Sequence, residues 1–194
     1  MGRKDLTHIR REEILDAFEQ CIFRYGFDGA TLQRTAEEAR VNLGTIHHYI
    51  GKREDLLKLL LDRLLERTTL EAAQLKEHQP QEEQLHLLLE AFFLDPQDPT
   101  SRMLTLLVQE GSSHPQIRAF LTEINTLYCT LLSEAIQTHR PGMKKSPSEQ
   151  LAFTILALAY GGDILMDFGL PRSKRDRLMD MAKFLIDTSP LEGL

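Results

Sequence analysis

The residues best equipped for chemistry lie between Thr31 and Arg53, in the run TLQRTAEEARVNLGTIHHYIGKR. Leu43, Thr45, His47 and His48 fall away from Ile46, Tyr49 and Ile50, the residues that give a short helix its inward face. Such a set suits base edges. An imidazole can donate to guanine or accept from cytosine, and Gln33, on the preceding helix, can bond adenine through two atoms. Thr31, Tyr49, Lys52 and Arg53 are expected at phosphates, where they position a helix without reading sequence. Tyr49 is equally suited to packing inside the small domain.

Those side chains need two helices and a tight corner behind them. Thr31 is a good N-cap, because its hydroxyl can accept an orphan amide hydrogen bond. Leu32, Thr35, Ala36 and Ala39 then recur at helical spacing, and the two alanines let a second helix cross closely. Val41 fills the corner and Asn42 can cap the helix that follows. The pattern is a helix-turn-helix, whose second helix fits the major groove.

From Ile14 to Leu57 the chain resembles the N-terminal domain of the TetR (tetracycline-repressor-like) transcriptional regulators. The resemblance rests on ILDAFEQCIFRYGFDGATL, the corner from Ala36 to Val41, GTIHHYI, and KREDLL leading into a long helix. The chain departs from the family in three places. Arg40 stands where the family prefers Gly, in a turn whose left-handed conformation costs a side chain about 1–2 kcal/mol. His47 replaces the usual Tyr, and Arg53 stands where a Lys normally grips phosphate. The resemblance implies an all-α protein in which residues 1–53 form a three-helix DNA-binding domain. Residues 54–194 then form a helical ligand-binding and dimerisation domain, joined through a long lever helix.

Composition sets the bounds. The 194 residues carry a formal net charge of −6, with 42% hydrophobic and 27% charged residues, as in an ordinary globular protein. A negative total does not exclude DNA, which meets a local surface: Arg34, Arg40, Lys52 and Arg53 surround the motif. Glu12, Glu13, Asp16, Glu19, Glu37 and Glu38 must then face away from the groove. Cys21 and Cys129 lie far apart in helical patterns, which argues against a disulfide framework and for a reducing, cytoplasmic setting. The N-terminus lacks the apolar core of a signal peptide, and the run from Leu151 to Gly162 is too short for a membrane span.

Taken in order, residues 1–9 read as a flexible arm in which Arg3 and Lys4 could reach DNA. A helix is expected from about Arg10 to Tyr25, stopped by Gly26. The lever helix should run from KRED to about His78, with Glu54 and Asp55 at its positive end. Further helices are expected in QEEQLHLLLEAFFL, in RMLTLLVQEGSS after a Thr100 or Ser101 cap, and from Pro115 to about Arg140. A Ser146 or Ser148 cap should open EQLAFTILALAYGGDILMDFG, and a last helix should span about Arg172 to Asp187. His114 and His139 read as surface residues. Glu82 and His86 share a helix face, but nothing completes a metal site.

One helix-turn-helix has too small a footprint to select a site, so a homodimer on a palindromic operator is expected. Ala152, Ala157, Ala159 and Gly161 are small enough for close helix contact, and Leu178, Met181, Ala182 and Leu185 offer a matching stripe. Phe92, Phe93, Met103, Leu107, Phe120 and Tyr128 are candidates to line the effector cavity that the resemblance implies. Asp163 and Asp167, one turn apart beside Tyr160, could hold a cationic ligand against an aromatic ring. No cofactor and no catalytic constellation is expected. The function read here is a regulator, more often a repressor by family analogy, released from DNA by a small molecule. The alternative is an architectural or cell-division factor whose C-terminal domain binds a protein partner.

Overall fold

The computed structural model describes residues 3–93, 99–169, 171 and 174–192. Among the described residues the chain is helical throughout: α1 (Arg3–Gly29), α2 (Leu32–Glu38), α3 (Leu43–Tyr49), α4 (Arg53–His78), α5 (Gln81–Phe93), α6 (Pro99–Glu110), α7 (Pro115–His139), α8 (Lys145–Asp167) and α9 (Arg175–Thr188). No helix among them is long and apolar enough to cross a membrane. The chain divides into two compact units. One runs to Glu66 and includes Leu106–Phe120; the other holds Arg67–Thr105 and Leu121–Leu194. The units part inside α4.

In the first unit, Ile14, Phe18, Cys21 and Ile22 are buried along α1, as the apolar spacing predicts. The helix starts at Arg3, so the segment expected as a flexible arm is helical from there on; Met1 and Gly2 lie outside the described residues. Gly26 breaks the helix with φ 73° and ψ 172°, a region essentially closed to other residues. Thr31 caps α2 by accepting from the amide of Arg34, and Asn42 caps α3 by accepting from Thr45 at 2.8 Å.

The corner between α2 and α3 is a Schellman turn. The Val41 amide donates to Ala36 O at 2.9 Å and the Arg40 amide to Glu37 O at 3.1 Å. Arg40 sits at the left-handed position with φ 55°, where the sequence had no Gly to offer. Gly51, at φ 117°, makes the next turn. A Cβ there would lie 2.5 Å from Asp55 Oδ2, the atom that accepts from the Lys52 amide at the start of α4. α4 buries Leu56, Leu57, Leu60, Leu61 and Leu64. Arg63 then joins it to α1 through Glu12 at 3.2 Å, Asp16 at 2.7 Å and Glu19 at 2.7 Å. Burial works against the Arg63 charge, yet the three carboxylates outweigh it and hold the guanidinium proton more firmly than usual.

In the second unit the core gathers Leu85, Leu88, Leu89 and Phe93 of α5 with Leu131, Leu132 and Ile136 of α7, Ala152 and Ile155 of α8, and Ala182 and Ile186 of α9. Pro99 opens α6, so neither Thr100 nor Ser101 is its cap. α8 likewise begins at Lys145 without a side-chain cap. Ser148 is buried one turn inside, donating to Lys145 O and bonded to Ser133 of α7, both at 2.8 Å. A Cβ on Gly162 would meet Leu178 Cδ1 at 2.5 Å, so a larger residue there would push the tip of the Leu178 side chain aside.

Candidate nucleic-acid interface and effector cavity

Two capped helices of seven residues each present the first candidate site. On α3, Ile46 is fully buried while Leu43, His47 and His48 are exposed and Thr45 is half-buried. The division follows from one fixed inward residue on so short a helix. The Thr45 hydroxyl donates to Asn42 Oδ1 at 3.0 Å, which leaves its own oxygen as an acceptor. His47 Nδ1 lies 2.9 Å from Gly51 O. His48 stands edge to face with Tyr49 at 4.9 Å between ring centroids. Tyr49 itself is half-buried, and its carbonyl accepts from Arg11 Nε at 2.9 Å, which ties the end of α3 to α1.

On α2, Thr31 and Gln33 are exposed, and Gln33 donates to Glu37 Oε1 at 2.9 Å. Lys52 projects from the turn before α4 and is exposed. Arg53 has a different environment. Its Nη2 donates to Phe27 O at 2.6 Å and its Nε to Ala30 O at 3.3 Å, and its guanidinium lies 4.5 Å from the centroid of the Phe27 ring. The expected phosphate grip at Arg53 is therefore revised: the fork braces α4 against the link between α1 and α2. The other face of this brace was invisible in the sequence. His114, expected at the surface, packs on Phe27 with ring centroids 4.8 Å apart.

The acidic residues around the motif are accounted for. Glu12, Asp16 and Glu19 converge on Arg63, Glu38 pairs with Arg24 at 2.7 Å, and Glu13 pairs with Arg10 at 2.5 Å. These contacts take negative charge out of play near the exposed end of α3 without any need for a basic total.

The second candidate site is a cavity of about 430 Å³ inside the second unit, within the size range of small-molecule pockets. Its wall includes Phe92, Tyr128 and Tyr160 with the carboxylates Glu71, Glu90 and Asp163. Among the described residues that line it, none is Lys or Arg. Phe92 and Tyr128 meet edge to face, 5.0 Å between centroids. Tyr160 Oη donates to Asn125 Oδ1 at 2.7 Å. Burial, helped by the neighbouring Tyr128 and Asp163, pushes the Tyr160 phenol far above its ordinary value, so it stays a neutral donor. Thr68 also lines the cavity, 2% exposed, and its hydroxyl has no hydrogen-bond partner among the described residues.

Several expected lining residues are elsewhere. Phe93 and Met103 are buried core side chains outside the cavity wall, and Leu107 and Phe120 belong to the first unit. Inward apolar residues look alike in a sequence, so periodicity could not separate core from lining. Asp167 closes α8, and its side chain lies outside the described residues, as does Arg172. Glu90 takes His86 as a neighbour at 3.2 Å, and His139 meets Asp187 at 3.1 Å.

The expected dimer residues also need correction. Ala152 and Ala159 are buried within the chain's own core, 0% and 6% exposed, and Leu178 and Leu185 are half-buried against it. Met181 is half exposed, as are Phe153 and Phe184, at 68% and 57%.

Comparison with known proteins identifies the N-terminal domain. A sequence profile described as bacterial regulatory proteins, tetR family, matches residues 14–60, the stretch from the first core residue of α1 into α4. The N-terminal helix-turn-helix domain is of the TetR type. Beyond the profile, the chain is 27% identical over 170 residues to the HTH-type transcriptional regulator BetI of Burkholderia thailandensis, covering 84% of this chain and 86% of that one. A TetR transcription regulator from Haloarcula marismortui shares the fold with a TM-score of 0.77 at 21% identity, covering 93% of this chain and 97% of that one. A transcriptional regulator from Saccharomonospora viridis, solved in complex with choline, matches with a TM-score of 0.77 at 20% identity, covering 92% and 95%. The chain is thus a transcriptional regulator with an all-α fold and an N-terminal helix-turn-helix of the TetR type.

Proposed function

We propose that this regulator binds a palindromic DNA operator as a homodimer, acts as a repressor, and is released by a small organic cation held in the cavity of its second unit. The observation that carries the DNA half is the exposed edge of α3, where Leu43, Thr45, His47 and His48 stand outward while Ile46 is buried behind them. Leu43, Thr45, His47 and His48 contact bases, with Gln33 at the margin, and Thr31, Tyr49 and Lys52 contact phosphates. Arg53 holds the domain in shape behind them.

A second copy of the chain covers Phe153, Met181 and Phe184. Phe153 continues at helical spacing through Ala157 and Gly161 to the exposed Leu165 along one side of α8, and Met181 and Phe184 share a side of α9. Two large aromatic rings left this open are unusual on a monomer and suit a self-complementary interface. Pairing places two recognition helices about 34–36 Å apart, one helical turn of DNA.

The effector half rests on the cavity's own residues. Three carboxylates and three aromatic rings, with no Lys or Arg among the described lining residues, favour a cation, stabilised by ring faces and by charge. Choline is the ligand of the Saccharomonospora viridis protein and illustrates the class. The effector shifts the equilibrium only as far as it prefers the spacing that DNA does not accept. The test is to select DNA fragments with the purified protein, with and without small organic cations. Enrichment of a two-fold symmetric sequence, relieved by cations and not by anions of like size, is the expected outcome. A sequence-independent result would remove the DNA half, and binding indifferent to every cation would remove the effector half.

A further inference from the structure

We infer that His47 reads DNA as a hydrogen-bond acceptor, so that the base at its position is cytosine or adenine and not guanine or thymine. The inference rests on α3 being the groove helix and adds to it which way His47 presents its hydrogen-bonding groups. His47 is exposed at the last turn of α3, and its Nδ1 lies 2.9 Å from Gly51 O. A carbonyl oxygen can only accept, so the proton of the neutral ring must reside on Nδ1. Nε2, on the opposite side of the ring, then carries a lone pair. Which nitrogen holds the proton in a histidine is set by what the other one meets, and here that partner is backbone.

The backbone partner is itself fixed. Gly51 follows the helix C-cap at φ 117°, a conformation that other residues rarely adopt, and its amide donates to Ile46 O at 3.2 Å. The Asp55 carboxylate, bonded to the Lys52 amide at 2.8 Å, occupies the space a side chain on Gly51 would need. The carbonyl therefore cannot swing away without breaking the turn into α4. A histidine near a helix C-terminus commonly bonds a terminal carbonyl, and this one is oriented by doing so.

In the major groove, cytosine offers its N4 amine and adenine its N6 amine as donors. Guanine O6 and N7 and thymine O4 only accept. An Nε2 lone pair meets the first pair favourably and repels the second. The sequence alone leaves both roles open to a histidine; the bond to Gly51 chooses between them.

Two measurements test this. Nitrogen-15 NMR of the intact protein, recorded where the His47 signal has reached its neutral limit and assigned with His47→Ala, should show the Nδ1–H form. DNA selection at the same pH should show one base pair of each half-site whose preference, about 5-fold or more, is lost in His47→Ala alone. Removing the exocyclic amine there (2-pyrimidinone for cytosine, purine for adenine) should abolish it, whereas removing an acceptor atom of the paired base should not. An Nε2–H signal, or a His47-dependent preference that survives loss of the amine and is abolished by loss of the paired base's acceptor atom, overturns the inference while leaving α3 in the groove. No change at any position in His47→Ala, with changes in His48→Ala, also overturns it. Failure of the wild-type protein to enrich any sequence overturns the groove reading itself.

Discussion

Replacing Arg53 by Ala separates two roles that a basic residue beside a DNA-binding helix could have. In the structure its guanidinium donates to Phe27 O at 2.6 Å and Ala30 O at 3.3 Å, and covers the Phe27 ring at 4.5 Å. A hydrogen bond from a charged donor contributes about 1.5–3 kcal/mol. The longer bond adds little, and a partly exposed cation over a ring adds about 0.5–1 kcal/mol. Discounting for the solvent that still reaches Arg53, the loss should be about 2–3 kcal/mol of unfolding free energy. With a urea dependence near 2 kcal/mol per molar, the midpoint of the first unit falls by about 1 M or more, readable by circular dichroism. The salt dependence of DNA binding should keep its slope, because no phosphate contact is lost. Lys52→Ala should do the reverse, reducing the slope by about 0.9 per protomer with little effect on stability. A stable Arg53→Ala protein whose salt slope has dropped by about 0.9 per protomer would refute the brace.

Three further outcomes are expected. Asp163→Asn should weaken a bound organic cation by about 10-fold to 100-fold, as for a partly exposed charge contact, with DNA affinity unchanged when measured by titration calorimetry and anisotropy. Equal cation affinity in the variant would count against the acidic cavity. Phe153→Glu combined with Phe184→Glu should give a folded monomer by analytical ultracentrifugation and lose cooperative binding to a palindrome; a persistent dimer would place the interface elsewhere. Arg40→Gly should raise the unfolding free energy by up to about 1 kcal/mol, since about 1–2 kcal/mol of left-handed strain is relieved against about 0.4–1 kcal/mol of added chain entropy. A destabilised Arg40→Gly protein would mean that the Arg40 side chain contributes more than its backbone costs.

What could be read from the residues was local chemistry. The caps at Thr31 and Asn42, the break at Gly26, the left-handed Arg40 and the extent of α4 to His78 all depend on a few neighbouring residues, and the structure contains each of them. Long-range partnerships were not legible. Arg53 reads as one more basic residue beside the groove until Phe27 and Ala30 are brought to it. His114 looks isolated until α7 begins next to the same ring. α8 is apolar nearly all round, so its pattern gave no direction: Ala152 and Ala159 looked like contact residues, while nothing in the pattern singled out the outward Phe153. In the cavity, Tyr160 and Asp163 stood out because polar groups on an apolar helix are conspicuous, and Phe93 and Met103 could not be told from lining. α1 begins earlier than expected because Leu6 and Ile9 remain exposed and give the helix no apolar stripe to read there.

The most direct test of the central claim is to attach a photo-crosslinker at position 43 and map its adducts on the selected DNA. The account predicts base adducts in the major groove, in two clusters about one helical turn apart, with none from the same probe at position 153. Adducts no more frequent than on random DNA, or equal from both positions, would contradict it.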